Sequence, residues 1–295
     1  MKQLRKCLLK LKQKIKKMLP RSILSGLIQY RGVPYPMNMT AKRREEALKK
    51  LYFEKTGKTI EFENVEMFNE KIQWLKLYWN HPDLSRIVCK YRFKQYITEK
   101  LGEGYTIPLL GAWTSVEDID WEALPENFVL KSNASSNGRG IKFIRGKSKY
   151  DFEEIKNEIA QWLDPQKTLI NSFCRAYYDV TPMIIAEEYI EQADKQLYDY
   201  KFFCFSGEPE FAYVATDHFG PESEKGQPYK ISLYSLDWER LDIKYGEYGK
   251  NNVPAPKRLA DMIKISKKLS KAFPFVRVDF FEVEDKLYLS ELTFY

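Results

Sequence analysis

Apolar and polar positions along the chain follow two different rhythms. Between residues 41 and 101 the apolar residues recur at intervals of three and four, which predicts helices over 41–55, 64–79 and 84–101. In the second of these Met67, Phe68, Ile72, Leu75 and Trp79 share one face, while Asn69 to Lys71 turn outward. Gly102 and Gly104 stop the third, and a short apolar run over 105–110 ends at Gly111. Beyond it the rhythm shortens to that of strands, predicted over 128–131, 141–144, 183–190, 198–205, 210–216, 230–236, 276–283 and 286–292. Helical spacing returns only over 152–163 and over 256–273, the latter opened by Pro254 and Pro256. Consecutive strands joined by Ser206-Gly207 and by Glu284-Asp285 read as hairpins, and the Ser, Asn and Gly-rich stretch 132–140 reads as a hairpin tip. Helices followed by hairpins predict an α+β fold with two lobes and a helical preface. The expected division is a basic segment 1–40, a helical region 41–85, a first lobe 86–185 and a second lobe 186–295.

Charge changes this picture at the N-terminus. The 295-residue chain carries a net charge of +7, yet residues 1–44 hold thirteen Lys or Arg and no Asp or Glu. The remainder therefore has 48 − 13 = 35 basic against 41 acidic groups, a net of −6. Leu4, Leu8, Leu11, Ile15 and Met18 recur at helical spacing among Lys6, Lys10, Lys12, Lys14, Lys16 and Lys17. Such a pattern fits either a helix lying on an anionic membrane surface or a solvated tail. It is too short and too often interrupted by lysine for a spanning helix. No nucleic-acid reading surface recurs elsewhere. Cys7, Cys89, Cys174 and Cys204 form no CxxC pair, so a reducing cytosol is expected. Only His81 and His218 are present, which makes a histidine triad or multi-histidine metal site improbable and points to a hard cation on carboxylates.

The candidate chemistry lies in the hairpins. Lys131 ends a strand just before the small-residue loop 132–140, where an ammonium and loop N–H groups can meet a triphosphate; Ser135, Ser136 and Gly138 are the candidate loop contacts. The loop is not a Walker A motif. Near the C-terminus Asp279 and Glu291 sit on two strands joined by a short turn, and share a point in space if the register puts them on one face. Two adjacent carboxylates call for a cation, and Mg²⁺ held by carboxylates and substrate phosphates is one answer. Arg277, two residues before Asp279, supplies another, an internal salt bridge.

The segments Val276 to Phe281 and Leu289 to Thr293 resemble the magnesium-binding hairpin of ATP-grasp enzymes. The closer similarity, over residues 60–295, is to the TupA-like ATP-grasp subgroup of bacterial surface-polysaccharide clusters. It is carried by Phe68 to Lys76, Ile107 to Gly111, Asp199 to Gly207 and Phe273 to Asp279. The resemblance implies a two-lobe fold whose antiparallel sheets enclose Mg-ATP. It implies Asp279 and Glu291 as magnesium ligands and Arg277 as the group stabilising the transferred phosphoryl. It further implies Lys90 and Lys131 at the phosphates, Glu187, Glu188, Tyr189 and Ile190 as the adenine hinge, and Asp199 and Lys201 as ribose or phosphate contacts. Three departures stand out: Thr293 where ATP-grasp enzymes usually carry Asn, Ala134 where His is common in the subgroup, and an end at Tyr295 where relatives continue with a Pro-Gly segment. The implied reaction joins a carboxylate, expected to be a uronic acid of a surface glycan, to an amine or amino acid through an acyl phosphate, with ATP and Mg²⁺. A basic N-terminal helix would place it at the inner membrane leaflet. Two other classes stay open: a glycosyltransferase, which needs a nucleotide-sugar site, and a nucleotide-binding scaffold without turnover, which Thr293, Ala134 and the end at Tyr295 favour. Trp113, Tyr177 and Tyr178 are candidate sugar-stacking rings.

Overall fold

The computed structural model describes residues 40–135, 140–164, 173–177, 179–190, 197–216, 230–243, 247–248 and 252–295. Residues 1–39 of the basic segment, Ser136, Gly138 and Tyr178 lie outside the described residues. The chain divides into two compact units, Met1–Trp79 with Leu169–Arg175, and Asn80–Thr168 with Ala176–Tyr295.

The first unit is built on α1 (Ala41–Thr56) and α2 (Phe68–Tyr78). Thr40 caps α1 by accepting the Arg43 N–H at 3.3 Å, and Gly57, at φ 69°, ends it. α2 begins four residues later than its apolar spacing predicts, because the Glu70 carboxylate accepts the N–H groups of Glu66 and Met67, both at 3.0 Å, and fixes the start there. Leu48, Tyr52, Ile60 and Phe62 form the core of this unit. The expected buried face of α2 is largely open: Leu75 is buried, whereas Met67 and Phe68 are 63% and 42% exposed.

The second unit starts with α3 (Leu84–Val88) and α4 (Lys90–Leu101), a single predicted helix split at Cys89, whose backbone is extended. A four-stranded antiparallel sheet follows: β1 (Leu109–Trp113), β2 (Asn127–Ser132), β3 (Ile141–Arg145) and, after α5 (Phe152–Ala160), β4 (Ile184–Glu188), in the order β1-β4-β2-β3. The expected lobe boundary at 185/186 thus falls inside β4. Phe128, Leu130, Ile184 and Ala186 join Ile155 and Ile159 of α5 in one core, leaving Val129, Lys131, Ile185 and Glu187 on the opposite pleat. Trp113 packs against that core and is not a free sugar platform.

The larger sheet contains β5 (Asp199–Phe205), β6 (Glu208–Thr216), β7 (Lys230–Tyr234), β8 (Arg240–Leu241), β9 (Glu247–Tyr248), β10 (Phe275–Val283) and β11 (Lys286–Thr293). Its order is β11-β10-β5-β6-β7-β8, antiparallel throughout, with β9 parallel to β7. Ser206 and Gly207, both at positive φ, make the two-residue turn between β5 and β6. Helix α6 (Leu259–Ser270) packs on β5, β6 and β10, and its Ser270 meets Cys204. Cys204 and Lys201 lie on opposite pleats, so α6 covers the face turned away from Lys201. No helix among the described residues is long and apolar enough to cross a membrane.

Candidate functional site

One row across the large sheet carries most of the predicted acidic chemistry. Register places Glu291 opposite Asp279, Asp279 opposite Lys201, and Lys201 opposite Tyr213. The alignment depends on a β-bulge. Val283 pairs with Lys286 and Phe280 with Leu289, so an unbroken ladder would set Asp279 against Ser290 and turn Glu291 to the other face. Ser290 is instead the extra residue, and the bulge brings both carboxylates to one face.

Here the acids are paired with cations. Lys201 Nζ lies 2.5 Å from Asp279 Oδ2 and 2.6 Å from Asp199 Oδ2. The Arg277 guanidinium donates to both Asp279 oxygens, at 2.7 and 2.6 Å, and to Glu291 Oε1 at 2.8 Å. Thr293 Oγ1 accepts from Arg277 and donates to Glu291 Oε1, both at 3.0 Å. Burial pushes the Asp279 carboxyl up against the pull of Arg277 and Lys201. Partial desolvation also opposes charge on Glu291, but Arg277, Lys201 and Lys90 outweigh it and hold that carboxyl at about 2. The Lys201 ammonium is buried, yet Asp199 and Asp279 raise its pKa above the ordinary lysine value.

A second cluster sits on the small sheet and α4. Its centre is Glu187, whose carboxylate bridges Lys94 Nζ and Lys131 Nζ, each at 2.5 Å. Burial disfavours charge on Glu187, but Lys131 and Lys94 bring its carboxyl down to about 2. Lys90, one turn before Lys94 on α4, donates to the Ser135 carbonyl at 2.5 Å. Its main-chain N–H binds the Asn133 carbonyl at 2.9 Å, anchoring α4 to the loop after β2. Desolvation lowers the pKa of both Lys90 and Lys94. Lys90, Phe93, Lys94, Ile107, Lys131, Glu187, Leu289 and Ser290 line one pocket. The bulged residue beside Glu291 therefore borders the space that the three lysines face.

The two clusters carry opposite excesses. Lys90, Lys94 and Lys131 against Glu187 leave +2, whereas Asp199, Asp279 and Glu291 against Lys201 and Arg277 leave −1. The first suits a polyanion and the second a cation. No group of three or more His, Cys, Asp or Glu that could hold a metal exists among the described residues, so an all-protein cage is not available. The donor set does fit Mg²⁺, which takes one or two carboxylates and completes its shell with phosphate and water. Glu291, with 38% of its side chain exposed, is the accessible member and Asp279 the enclosed one.

The remaining predicted residues separate by role. Asp199 and Ser135 are buried, and Ser135 contributes its carbonyl to Lys90. In the expected adenine hinge, Glu187 pairs with Leu109 and Val129 on its two sides, and the Glu188 N–H binds the Pro108 carbonyl at 3.1 Å. The sheet thus uses these backbones, and of the expected hinge only Tyr189 and Ile190 lie beyond the strand. Tyr189 accepts from Arg145 Nε at 2.8 Å. Lys94 and Tyr213 were not singled out by sequence. The four-residue step from Lys90 was the available signal for Lys94; Tyr213, with the Arg277 guanidinium 5.9 Å from its ring, is brought in only by strand register.

The chain also carries one Asp-x-Asp triplet of the kind glycosyltransferases use, Asp118-Ile119-Asp120. Ile119 is buried in the small-sheet core, and Asp120 Oδ1 accepts the Ala123 N–H at 3.1 Å. The triplet forms a structural turn.

A family profile described as TupA-like ATPgrasp matches residues 70–295. No curated protein matches. Among solved structures, D-alanine--D-alanine ligase from Bacillus anthracis is 14% identical with a TM-score of 0.43, covering 72% of this chain and 58% of that one. Phosphoribosylamine--glycine ligase from Thermotoga maritima is 11% identical with a TM-score of 0.45, covering 72% and 49%. The chain spans less than two thirds of the length of either.

Proposed function

The chain belongs to the TupA-like ATP-grasp family, and from that premise we propose that it is an ADP-forming ligase joining a carboxylate to an amine. The observation that carries this reading is the pair of clusters with opposite excess charge, one on each sheet, with Ser290 bordering the lysine-lined pocket. Lys90 and Lys131 would hold the phosphates of ATP, and Asp279 and Glu291 would hold Mg²⁺. When bound, the metal supplies charge neutralisation at the terminal phosphates. Arg277, held by Asp279, Glu291 and Thr293, is oriented to stabilise charge developing on the transferred phosphoryl. The substrate carboxylate attacks the γ-phosphorus and the bond to ADP breaks. The amine then adds to the acyl phosphate, inorganic phosphate leaves, and the amine's proton passes to solvent.

The carboxylate is proposed to be a uronic acid of a bacterial surface polysaccharide or its precursor, and the donor an amino acid or amine. Both follow from the family resemblance. The basic pattern of residues 1–21 supports a position at the inner membrane leaflet. The test is incubation of a uronic-acid glycan with ATP, Mg²⁺ and an amino-acid pool, and in parallel with a pool of nucleotide sugars, each followed by phosphorus NMR and mass spectrometry. An amide product with ADP and phosphate is expected. AMP with pyrophosphate would overturn the γ-phosphate assignment, sugar transfer from a nucleotide sugar would establish a glycosyltransferase, and tight ATP binding without turnover would establish a scaffold.

A further inference from the structure

On the reading that the lysine-lined pocket receives the phosphates of ATP, we propose that Lys94 is a positioning residue that locks Lys131 and the β11 edge into one geometry before the nucleotide arrives. Lys94 Nζ lies 2.5 Å from Glu187 Oε1 and donates to the Ile107 carbonyl at 2.5 Å. The other Glu187 oxygen holds Lys131 at 2.5 Å, so Lys94 fixes Lys131 through one shared carboxylate. On its second side Lys94 reaches β11. Ile107 follows Tyr105-Thr106, which runs beside β11: Leu289 donates its N–H to the Tyr105 carbonyl at 2.7 Å, and Thr106 bridges to Leu289. Glu291 lies two residues beyond Leu289 on the same strand.

One ammonium thus joins the cationic cluster to the strand bearing an acidic ligand. Its side chain is 14% exposed, beside Phe93, Ile107 and Leu289, so water competes little for its partners. Lys90 does not make this link: its ammonium donates to the Ser135 carbonyl, on the side of the loop after β2. Holding Lys131 and β11 in place in advance removes an ordering cost that would otherwise fall on nucleotide binding.

The test uses the full chain with Lys94→Met, Lys94→Gln and Lys94→Arg. ATP affinity is measured by calorimetry with Mg²⁺ and with EDTA, and exchange of the Leu289 amide by hydrogen–deuterium exchange. Lys94→Met is expected to weaken ATP about tenfold with Mg²⁺, to shrink the affinity gained on adding Mg²⁺, and to speed Leu289 exchange. Lys94→Arg is expected to restore affinity to within about twofold. Lys94→Gln keeps a donor for Ile107 and carries the same measurement if Lys94→Met does not fold. Equal losses with and without Mg²⁺, with Leu289 exchange unchanged, would make Lys94 a direct phosphate contact and overturn the proposal. Unchanged affinity and exchange in Lys94→Met would overturn it while leaving the nucleotide site intact. If the wild-type chain binds no ATP, the nucleotide reading itself fails, and Leu289 exchange alone decides whether Lys94 ties the two elements.

Discussion

The two charged clusters of the second unit use the same residue types to opposite ends. Around Glu187 a single buried carboxylate answers two lysines, with a third beside them; around Arg277 and Lys201 three carboxylates answer two cations. In both, desolvation is opposed by partners at hydrogen-bond distance, so neither leaves a bare buried charge. The difference is in the remainder: one cluster is short of anions and the other short of cations. A ligand that brings both, a polyphosphate with its divalent ion, completes the two together.

The most severe way to break that comparison is to remove a carboxylate from the acidic side. Asp279→Asn and Glu291→Gln are each expected to lower the rate of ADP release by roughly 100-fold or more, read by phosphorus NMR. Full turnover in either variant would mean that the pair serves only as counter-charge to Arg277.

Removing the shared anion of the cationic side tests stability. The folded Glu187 carboxyl, at about 2, lies below its ordinary value of 4.5, so its contribution is complete above about pH 4.5 and is lost as pH falls toward 2. The gap corresponds to roughly 3 kcal/mol. Glu187→Gln is therefore expected to lower the unfolding midpoint at pH 7 and to flatten the loss of stability between those pH values, as followed by circular dichroism. Identical acid titrations of the two proteins would show that the Lys94–Glu187–Lys131 bridge is energetically idle.

Lys131→Ala leaves the anion and removes one of the cations around it. ATP affinity should fall about tenfold by calorimetry with the fold preserved, since the β2 backbone is unchanged. Equal affinity would remove Lys131 from the phosphate site.

The smallest effect sharpens the comparison from outside both clusters. Deleting residues 1–21 removes nine cations and should reduce flotation with anionic vesicles, most clearly at low salt. Turnover in solution should be unchanged. A full-length chain that ignores such vesicles would make the segment a solvated or packed tail.

Much of the fold is legible in the residues themselves. Helical and strand periodicities differ sharply, and the Ser206-Gly207 and Glu284-Asp285 turns fall where short polar pairs interrupt apolar runs. Boundaries moved for local reasons: the Glu70 side chain set the start of α2, and the extended backbone of Cys89 divided one predicted helix into two. Arg277, Asp279 and Glu291 could be singled out because charge in an otherwise apolar strand must have a partner, and Lys131 because it ends a strand just before a loop of small residues. Tyr213 could not, because an aromatic residue in a strand is ordinary core material until register sets it beside a guanidinium.

By itself the sequence determined which residues are available and which way each strand alternates, since side chains on a pleated strand change face with every step. The tertiary structure decided which charges meet. Counting back from the Glu284-Asp285 turn sets Asp279 against Ser290, and only the bulge at Ser290 carries Glu291 to the same face. Likewise, Glu187 reads as one position in a hinge until folding brings α4 against β2 and β4 and gives its two oxygens to Lys94 and Lys131. Local pattern fixes direction along a strand or helix, but an inserted residue or a long-range contact fixes register between elements, and shared chemistry depends on that register.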